Sequence, residues 1–421
     1  MKTFIYFYRT FLSTGIQTVL PQLFIMAYVP LHRSELLPLC LLLASISSIG
    51  GIAASRHLSR YFYGGPVDGR AAIGIGLSAL VGAGVISMFL THDWPIYFIA
   101  VALVSGLLEL LFNMLDHRYV EELSGIEFKA HASRVTVVQL IALTAAPFYF
   151  TFTVDMVWLQ VLLAAGGSAM LVALMLSSAS AAKQGQTVLA MDTADRPARA
   201  ASGANRLRTR DFAFLLYALA VYVAVFIFSS HLIYILHDYY GMTGATWKGG
   251  LLLGIGNLVA VAVVLGCFRV KSAQMVRKSH AKAVVSSTAL PARTHAAVVA
   301  CLLASAVLLY GRWLTGFAFI LALACLVGGA FGIFQLLARE YASRRAVGEG
   351  AGIVLTSYNN LKNIASLVGF SSALALASAS SRLHIEYVRL VILAVIVCIL
   401  AACMALAVIP ALGIPQEEEK Q

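Results

Sequence analysis

Charged residues are scarce in this sequence, since Asp, Glu, Lys and Arg make up 12% of its 421 residues and 60% are hydrophobic. A soluble domain carries roughly twice that charged fraction, so the chain lacks the polar surface needed to cover a water-soluble body. Continuous apolar runs recur along the chain, each about as long as the ~20 residues that span the bilayer core. They do not alternate with period two, which favours helices over a barrel. We predict an all-α, polytopic membrane protein.

Two further absences narrow the possible functions. The six cysteines lie within or at the ends of apolar segments and show no metal-ligand spacing, so we expect reduced packing residues and neither a metal nor a cofactor. No Gly-x4-Gly-Lys-Ser/Thr phosphate loop is present, which disfavours a pump driven by ATP. A polytopic enzyme of lipid or sugar transfer would need a loop with clustered acids or histidines, whereas the predicted inner loops are basic. That enzyme, or a membrane sensor or partner-binding protein, stands as the alternative to a transporter.

Twelve apolar segments divide the chain into two sets of six. We predict an N-terminal six-helix bundle over 1–178, a cytoplasmic linker over 179–211, a C-terminal six-helix bundle over 212–413 and a cytoplasmic tail over 414–421. The linker is rich in Ala, Ser and Arg, a composition that cannot bury a core. The helices are predicted near residues 4–30, 35–55, 71–90, 95–117, 132–153, 156–178, 212–236, 247–268, 294–310, 314–338, 350–379 and 386–412.

Basic residues are distributed asymmetrically among the predicted loops. With both termini in the cytoplasm, 23 of the 30 Lys and Arg residues fall in cytoplasmic segments and five near the outer ends, while Arg9 and Lys362 fall inside helices. This follows the positive-inside rule, so topology accounts for the net charge of +11 and we expect no nucleic acid partner. We therefore expect a bacterial inner-membrane protein. The tryptophans fall at predicted outer helix ends, where indole rings favour the headgroup level: Trp94, Trp158, Trp247 and Trp313.

Two six-helix halves, a long central linker, short outer loops and both ends inside resemble the major facilitator superfamily along the whole chain. Part of the family's Gly-x3-Asp-Arg-x-Gly-Arg element follows the second helix, with serine in place of the acid: Gly51, Ser55, Arg56 and Arg60. Ala146-Pro147 stands where antiporters of the family carry Gly-Pro. The resemblance implies a monomeric, proton-coupled secondary transporter of a small organic solute, working by alternating access in the lipid bilayer. It also implies that helices one, four, seven and ten line a central cavity.

Polar residues recur along one face of the fourth predicted helix. Glu109, Asn113 and Asp116 follow Ser105 at spacings of four, four and three residues, which places all of them on that face. Burial favours the protonated form of a carboxyl group, so Glu109 and Asp116 are candidate proton carriers. Glu109 and Asn113 are also candidate substrate contacts. The alternative is a structural ion pair, such as Asp116 with a loop arginine at the cytoplasmic edge.

A second polar cluster lies in the eleventh predicted helix. Lys362 stands about twelve residues into this helix, too deep to reach the headgroups easily. Asn359 and Asn363 lie near it, together with Ser366. We predict that Lys362 attracts an anionic or zwitterionic substrate while the two asparagines hold its polar atoms. The alternative is a buried pair with a carboxylate of the other half.

Helices one and seven supply the remaining candidates. Arg9 and Gln17 share a face of helix one; we interpret Arg9, near the cytoplasmic end, as a structural or interfacial charge, and Gln17 as a substrate contact. In helix seven, Tyr234 is a candidate substrate contact and His231 a candidate proton carrier. A lone histidine inside a membrane is more often a hydrogen-bonded packing residue than a proton relay.

Overall fold

The polypeptide backbone is helical almost throughout the part of the chain that the structure describes. The structure is a computed structural model, and within its described residues it forms twelve long helices and no strand. The predicted all-α, polytopic fold is therefore confirmed. The described residues are 4–28, 36–64, 67–121, 125–153, 155–189, 209–279, 292–313, 315–345 and 351–408.

Two of the twelve helices contain a π-helical turn. Helix α1 joins an α-helix Phe4–Thr14, a π-helical turn Gly15–Val19 and an α-helix Leu20–Tyr28. Helix α7 runs from Thr209 to Tyr234 and ends in a π-helical turn Ile235–Tyr239. The other ten are α2 Leu36–Gly64, α3 Val67–Leu90, α4 Trp94–Glu121, α5 Gly125–Thr153, α6 Val157–Leu189, α8 Ala245–Ser279, α9 Ala292–Tyr310, α10 Phe317–Arg345, α11 Ala351–Leu383 and α12 Tyr387–Val408.

Several helices are longer than their apolar runs predict. The α2 helix continues to Gly64, α6 to Leu189 and α8 to Ser279, each about three turns past its hydrophobic segment. Hydrophobicity marks only the part of a helix that lies in hydrocarbon, and a helical backbone can continue into water with polar side chains. The predicted linker 179–211 therefore differs from the structure at both ends, while residues 190–208 and the predicted tail lie outside the described residues.

Nine of the helices, in their described residues, are long and apolar enough to cross a membrane. The apolar parts of α5, α6 and α9 that the structure describes are shorter, at Val137–Thr153, Val157–Ala173 and Thr294–Tyr310. All four tryptophans are exposed at or just beyond a helix end, which suits the interfacial position predicted for them.

The chain divides into two compact units, residues 1–204 and 205–421. In the first unit, α1 packs on α5, α2 on α4 and α3 on α6. In the second, α7 packs on α11 and α12, and α8 packs on α10. Each unit has a core of large apolar side chains, with Tyr8 and Phe150 fully buried in the first and Phe214 and Phe334 in the second.

Glycines allow two helix pairs to cross at backbone contact. A Cβ atom on Gly51 of α2 would overlap the carbonyl oxygen of Gly106 in α4. A Cβ atom on Gly328 of α10 would likewise overlap the carbonyl oxygen of Gly256 in α8. Small residues permit this approach, which packs membrane helices through van der Waals contact. Gly328 of α10 therefore serves close packing against α8.

Candidate functional site

The polar faces of α1 and α4 meet inside the first unit. Arg9 lies in the α-helical start of α1, and Glu109 lies about four turns into α4. Both helices are long and apolar enough to cross a membrane, and most residues of their apolar windows are buried, 72% in α1 and 61% in α4. Because an ionised group inside such a bundle must find a partner, the two polar faces turn toward each other.

Arg9 and Glu109 form a two-point ion pair. The Nε atom of Arg9 donates to Oε1 of Glu109 at 2.8 Å, and Nη2 donates to Oε2 at 2.8 Å. The Glu109 side chain is 6% exposed and that of Arg9 is 23% exposed. Such a pair is among the stronger hydrogen-bonded contacts in proteins. The pair carries no net charge, so it places one arginine and one glutamate in the bundle without an uncompensated charge.

Neighbouring side chains hold both members of the pair in position. The guanidinium carbon of Arg9 lies 4.1 Å from the centre of the Phe112 ring, a cation–π contact. Phe112 is itself held edge-on by Tyr6 at 5.3 Å. The Nδ2 atom of Asn113 donates to the Glu109 carbonyl oxygen at 2.7 Å and lies 3.4 Å from Oε2 of Glu109. Asn113 thus supports Glu109 from one helical turn away.

Gln17 lies in the π-helical turn of α1 and is half-buried. The wider turn is fixed by a bond from the Leu20 amide to the Gly15 carbonyl oxygen. Gly15 has no room for a side chain, since a Cβ atom would overlap the Phe150 ring. Single π-helical turns inside α-helices occur often at functional sites. The turn therefore supports Gln17 as a candidate contact.

The α11 cluster is only partly described. The Lys362 side chain is exposed, and its Nζ atom lies 5.7 Å from the centre of the Tyr222 ring on α7. The hydroxyl of Tyr222 also shares a hydrogen bond of 3.0 Å with the hydroxyl of Tyr358. Asn363 is half-buried, and its carbonyl oxygen accepts from Ser366 at 2.9 Å. The side chains of Asn359 and of Asp116 in α4 lie outside the described residues.

His231 is a buried hydrogen-bonding residue between α7 and α12. Its Nδ1 atom lies 2.8 Å from the Ile227 carbonyl oxygen, and its Nε2 atom lies 2.8 Å from the Tyr387 hydroxyl. A carbonyl oxygen only accepts, so Nδ1 carries the proton and Nε2 accepts from Tyr387. The neutral ring satisfies every partner, which is the arrangement of a packing residue. Tyr234, one turn further along α7, is half-buried.

Sequence reasoning identified Glu109 and Asn113 but missed the pairing with Arg9. We interpreted Arg9 as a structural or interfacial charge without naming a partner, and in the structure its guanidinium pairs with Glu109. The two residues are 100 positions apart, and no periodicity connects helices that far apart along the chain. The available signal was electrostatic: a buried carboxylate in α4 requires a cation, and only two basic residues, Arg9 and Lys362, lie more than three residues from the ends of a predicted helix.

Structural comparison finds the same fold in solved membrane transporters. Neither protein-family profiles nor curated protein sequences give a match. The nucleoside transporter NupG is similar to 96% of this chain over 97% of its own, with a TM-score of 0.65 and 9% identity. An auto-inhibited POT family peptide transporter is similar to 97% of this chain over 95% of its own (0.64, 12%). A D-xylose–proton symporter aligns with 96% of this chain and 96% of its own chain, with a TM-score of 0.60 and 13% identity.

Proposed function

We propose, from the premise that this chain has the major facilitator fold, that it is a proton-coupled secondary transporter of a small organic solute. The observation that carries the proposal is the buried Arg9–Glu109 pair between α1 and α4. Ionisable residues inside a membrane are costly, and where they occur they commonly mark the path of a substrate or a proton. A fold built from two six-helix halves supplies the alternating access that transport requires.

Glu109 is the proton carrier in this proposal. While ionised, its two oxygens accept from Arg9, and the pair is neutral. Protonation removes the negative charge and leaves Arg9 as an uncompensated cation within the bundle. That cation then favours an anionic partner, so loss of the Glu109 charge and gain of a ligand charge offset each other. The site is therefore neutral both when Glu109 is ionised and no ligand is bound, and when Glu109 is protonated and an anionic ligand is bound. A coupling site needs two such states.

We propose an anionic or zwitterionic small molecule as the solute. Each unit, taken by itself, carries a basic side chain within a helix: Arg9 in the first unit and the exposed Lys362 of α11 in the second. Gln17, Asn113, Asn363 and Tyr234 are the polar contacts that we propose beside these charges. We place the protein in the inner membrane as a monomer with cytoplasmic termini, because the basic loop residues follow the positive-inside rule.

Glu109→Gln separates proton coupling from binding. Glutamine keeps the size and hydrogen bonding of the acid but cannot lose a proton, so accumulation driven by a pH gradient should be abolished. Counterflow exchange of labelled solute should survive, because exchange needs no net proton movement. The solute would be chosen by thermal shift in detergent from a panel of monocarboxylates, amino acids, nucleosides, pentoses and dipeptides. Both activities would be measured in proteoliposomes.

Glu386→Gln is the matched control, because Glu386 is an exposed acid just before α12. It should leave both activities unchanged. Unaltered pH-driven accumulation in Glu109→Gln would remove Glu109 from the mechanism. A total absence of counterflow in the wild-type protein, for every compound that stabilises it, would instead favour the membrane enzyme or sensor.

A further inference from the structure

One edge of the Arg9 guanidinium is uncommitted among the described residues. Glu109 takes the Nε hydrogen and one hydrogen of Nη2, and a guanidinium has five N–H donors. Both Nη1 hydrogens and the second Nη2 hydrogen therefore remain. The side chain is 23% exposed, in contrast to 6% for Glu109. The remaining edge has the parallel donor geometry that matches a carboxylate.

The Arg9 edge is also held rigid. Glu109 fixes the guanidinium at two points, and the Phe112 ring lies against it at 4.1 Å from the ring centre. The Nδ2 atom of Asn113, one turn along α4, lies 3.4 Å from Oε2 of Glu109. A ligand that binds this edge does not have to order the arginine first, which lowers the cost of binding.

We propose that the carboxylate of the transported solute binds the Nη1/Nη2 edge of Arg9, and that one proton binds Glu109 in the same event. The argument is one of charge. The empty site is neutral, and a carboxylate added to it would leave one negative charge in a poorly solvated place, which is unfavourable. Protonation of Glu109 restores neutrality while Arg9 keeps an anionic partner.

The stoichiometry follows from this charge balance and rests on the proposed function of Glu109 as a proton carrier. The empty site holds Arg9 and ionised Glu109, and the loaded site holds Arg9, the ligand carboxylate and protonated Glu109. Both forms are neutral, so both can cross between the two faces of the membrane. The form that carries a carboxylate without a proton has a net charge of −1 and is disfavoured. The protein therefore carries one monocarboxylate together with one proton in the same direction, without net charge movement.

The test measures binding rather than transport. Purified protein in detergent would be titrated with acetate and benzoate, with acetamide and benzamide as neutral analogues and with sodium chloride at equal ionic strength. We expect the carboxylates alone to raise the unfolding temperature. In the wild-type protein their apparent affinity should fall by up to about tenfold for each unit rise in pH, because one proton binds with each ligand. Infrared spectroscopy should show a protonated carboxyl group on acetate binding.

Four variants assign the roles. Glu109→Gln imitates the protonated state, so it should bind carboxylates at least as tightly as the wild type, without pH dependence and without the infrared signal. Arg9→Lys keeps the positive charge but loses the planar pair of N–H donors that the guanidinium offers, so carboxylate affinity should fall by about tenfold or more. The double variant Arg9→Gln with Glu109→Gln avoids stranding a buried acid and should not bind carboxylates. Arg389→Gln, an exposed arginine of α12, should match the wild type.

The outcomes separate this inference from the proposed function. Equal stabilisation by amides and carboxylates, or carboxylate binding retained by the double variant, would overturn the role of Arg9. Loss of carboxylate binding in Lys362→Met with retention in the double variant would move the anion site to α11. A carboxylate affinity that depends on Arg9 but not on pH would leave the anion site standing and remove proton coupling by Glu109.

Discussion

At the scale of single residues, arginine suits the α1 position better than lysine would. Arg9 makes two hydrogen bonds to Glu109 through Nε and Nη2 and lies against Phe112 at the same time. An ammonium group is a compact charge without a planar fork, so it could not make both contacts in the same geometry. The guanidinium also keeps further donors after pairing, which a function in ligand binding requires.

His231 provides a contrasting case among the predicted proton carriers. Its Nδ1 atom lies 2.8 Å from the Ile227 carbonyl oxygen and 3.0 Å from the Ser230 hydroxyl, its Nε2 atom lies 2.8 Å from the Tyr387 hydroxyl, and the residue is 1% exposed. Protonation would make both nitrogens donors, and Tyr387 would then have to turn its hydroxyl to accept. Nothing else in the described surroundings compensates a charge on the ring, so we assign it a packing role.

His231→Leu should therefore lower stability without altering coupling. We expect a loss of about 1–3 kcal/mol, the cost of leaving a buried hydroxyl unpaired, seen as a lower unfolding temperature in detergent. Adding Tyr387→Phe should restore part of that stability, because both partners are then apolar. The pH dependence of uptake into proteoliposomes should stay as in the wild type. A displaced pH profile would return His231 to the list of proton carriers.

At the scale of helices, hydrophobicity predicted most of the fold and little of the site. Each apolar run became a helix, because the period and length of such runs are set by the bilayer and by the backbone. The extension of α6 to Leu189 was not predictable from hydropathy, since those residues lie past the apolar run. The Arg9–Glu109 contact depends on how α1 packs against α4, and the residue pattern within one helix does not predict which helix packs against it.

Glycine pairs in α2 and α10 provide an internal test of helix packing. Gly51→Ala should destabilise by about 1–3 kcal/mol, since an added Cβ forces the α4 backbone away. Gly50→Ala is the matched control, with nothing within 4 Å of the added atom. It should be neutral or slightly stabilising, because alanine is the better helix former. Unfolding in detergent would measure all variants.

The same comparison applies to the second unit. Gly328→Ala would overlap Gly256, whereas Gly329→Ala would make only ordinary contacts at 3.7 Å and 4.0 Å with two valines of α8. Gly328→Ala should therefore lower the unfolding temperature and Gly329→Ala should not. Equal stability of Gly51→Ala and Gly50→Ala, or of the α10 pair, would show that the helices can separate at these crossings without cost.

At the scale of the whole molecule, the two halves repeat one packing device. In the first unit the second and fourth helices cross through Gly51 and Gly106, and in the second unit the eighth and tenth cross through Gly256 and Gly328. These helices occupy corresponding places in the two sets of six. Parallel structural repeats of this kind are typical of transporters built from two six-helix halves.

Topology is the last prediction, and it concerns every helix at once. Residues 179–211 and 269–293 should face the cytoplasm, and 238–246 should face outward, because 23 basic residues fall on one predicted side and five on the other. A reporter that is active only outside the cytoplasm should therefore be active when fused at Gly241, in the exposed turn after α7, and silent at Ala190. A reporter active only in the cytoplasm should give the reverse at both positions. Because consecutive helices alternate in direction, cytoplasmic activity at Gly241 would shift the predicted layout by one helix and place the Arg9 end of α1 at the outer face.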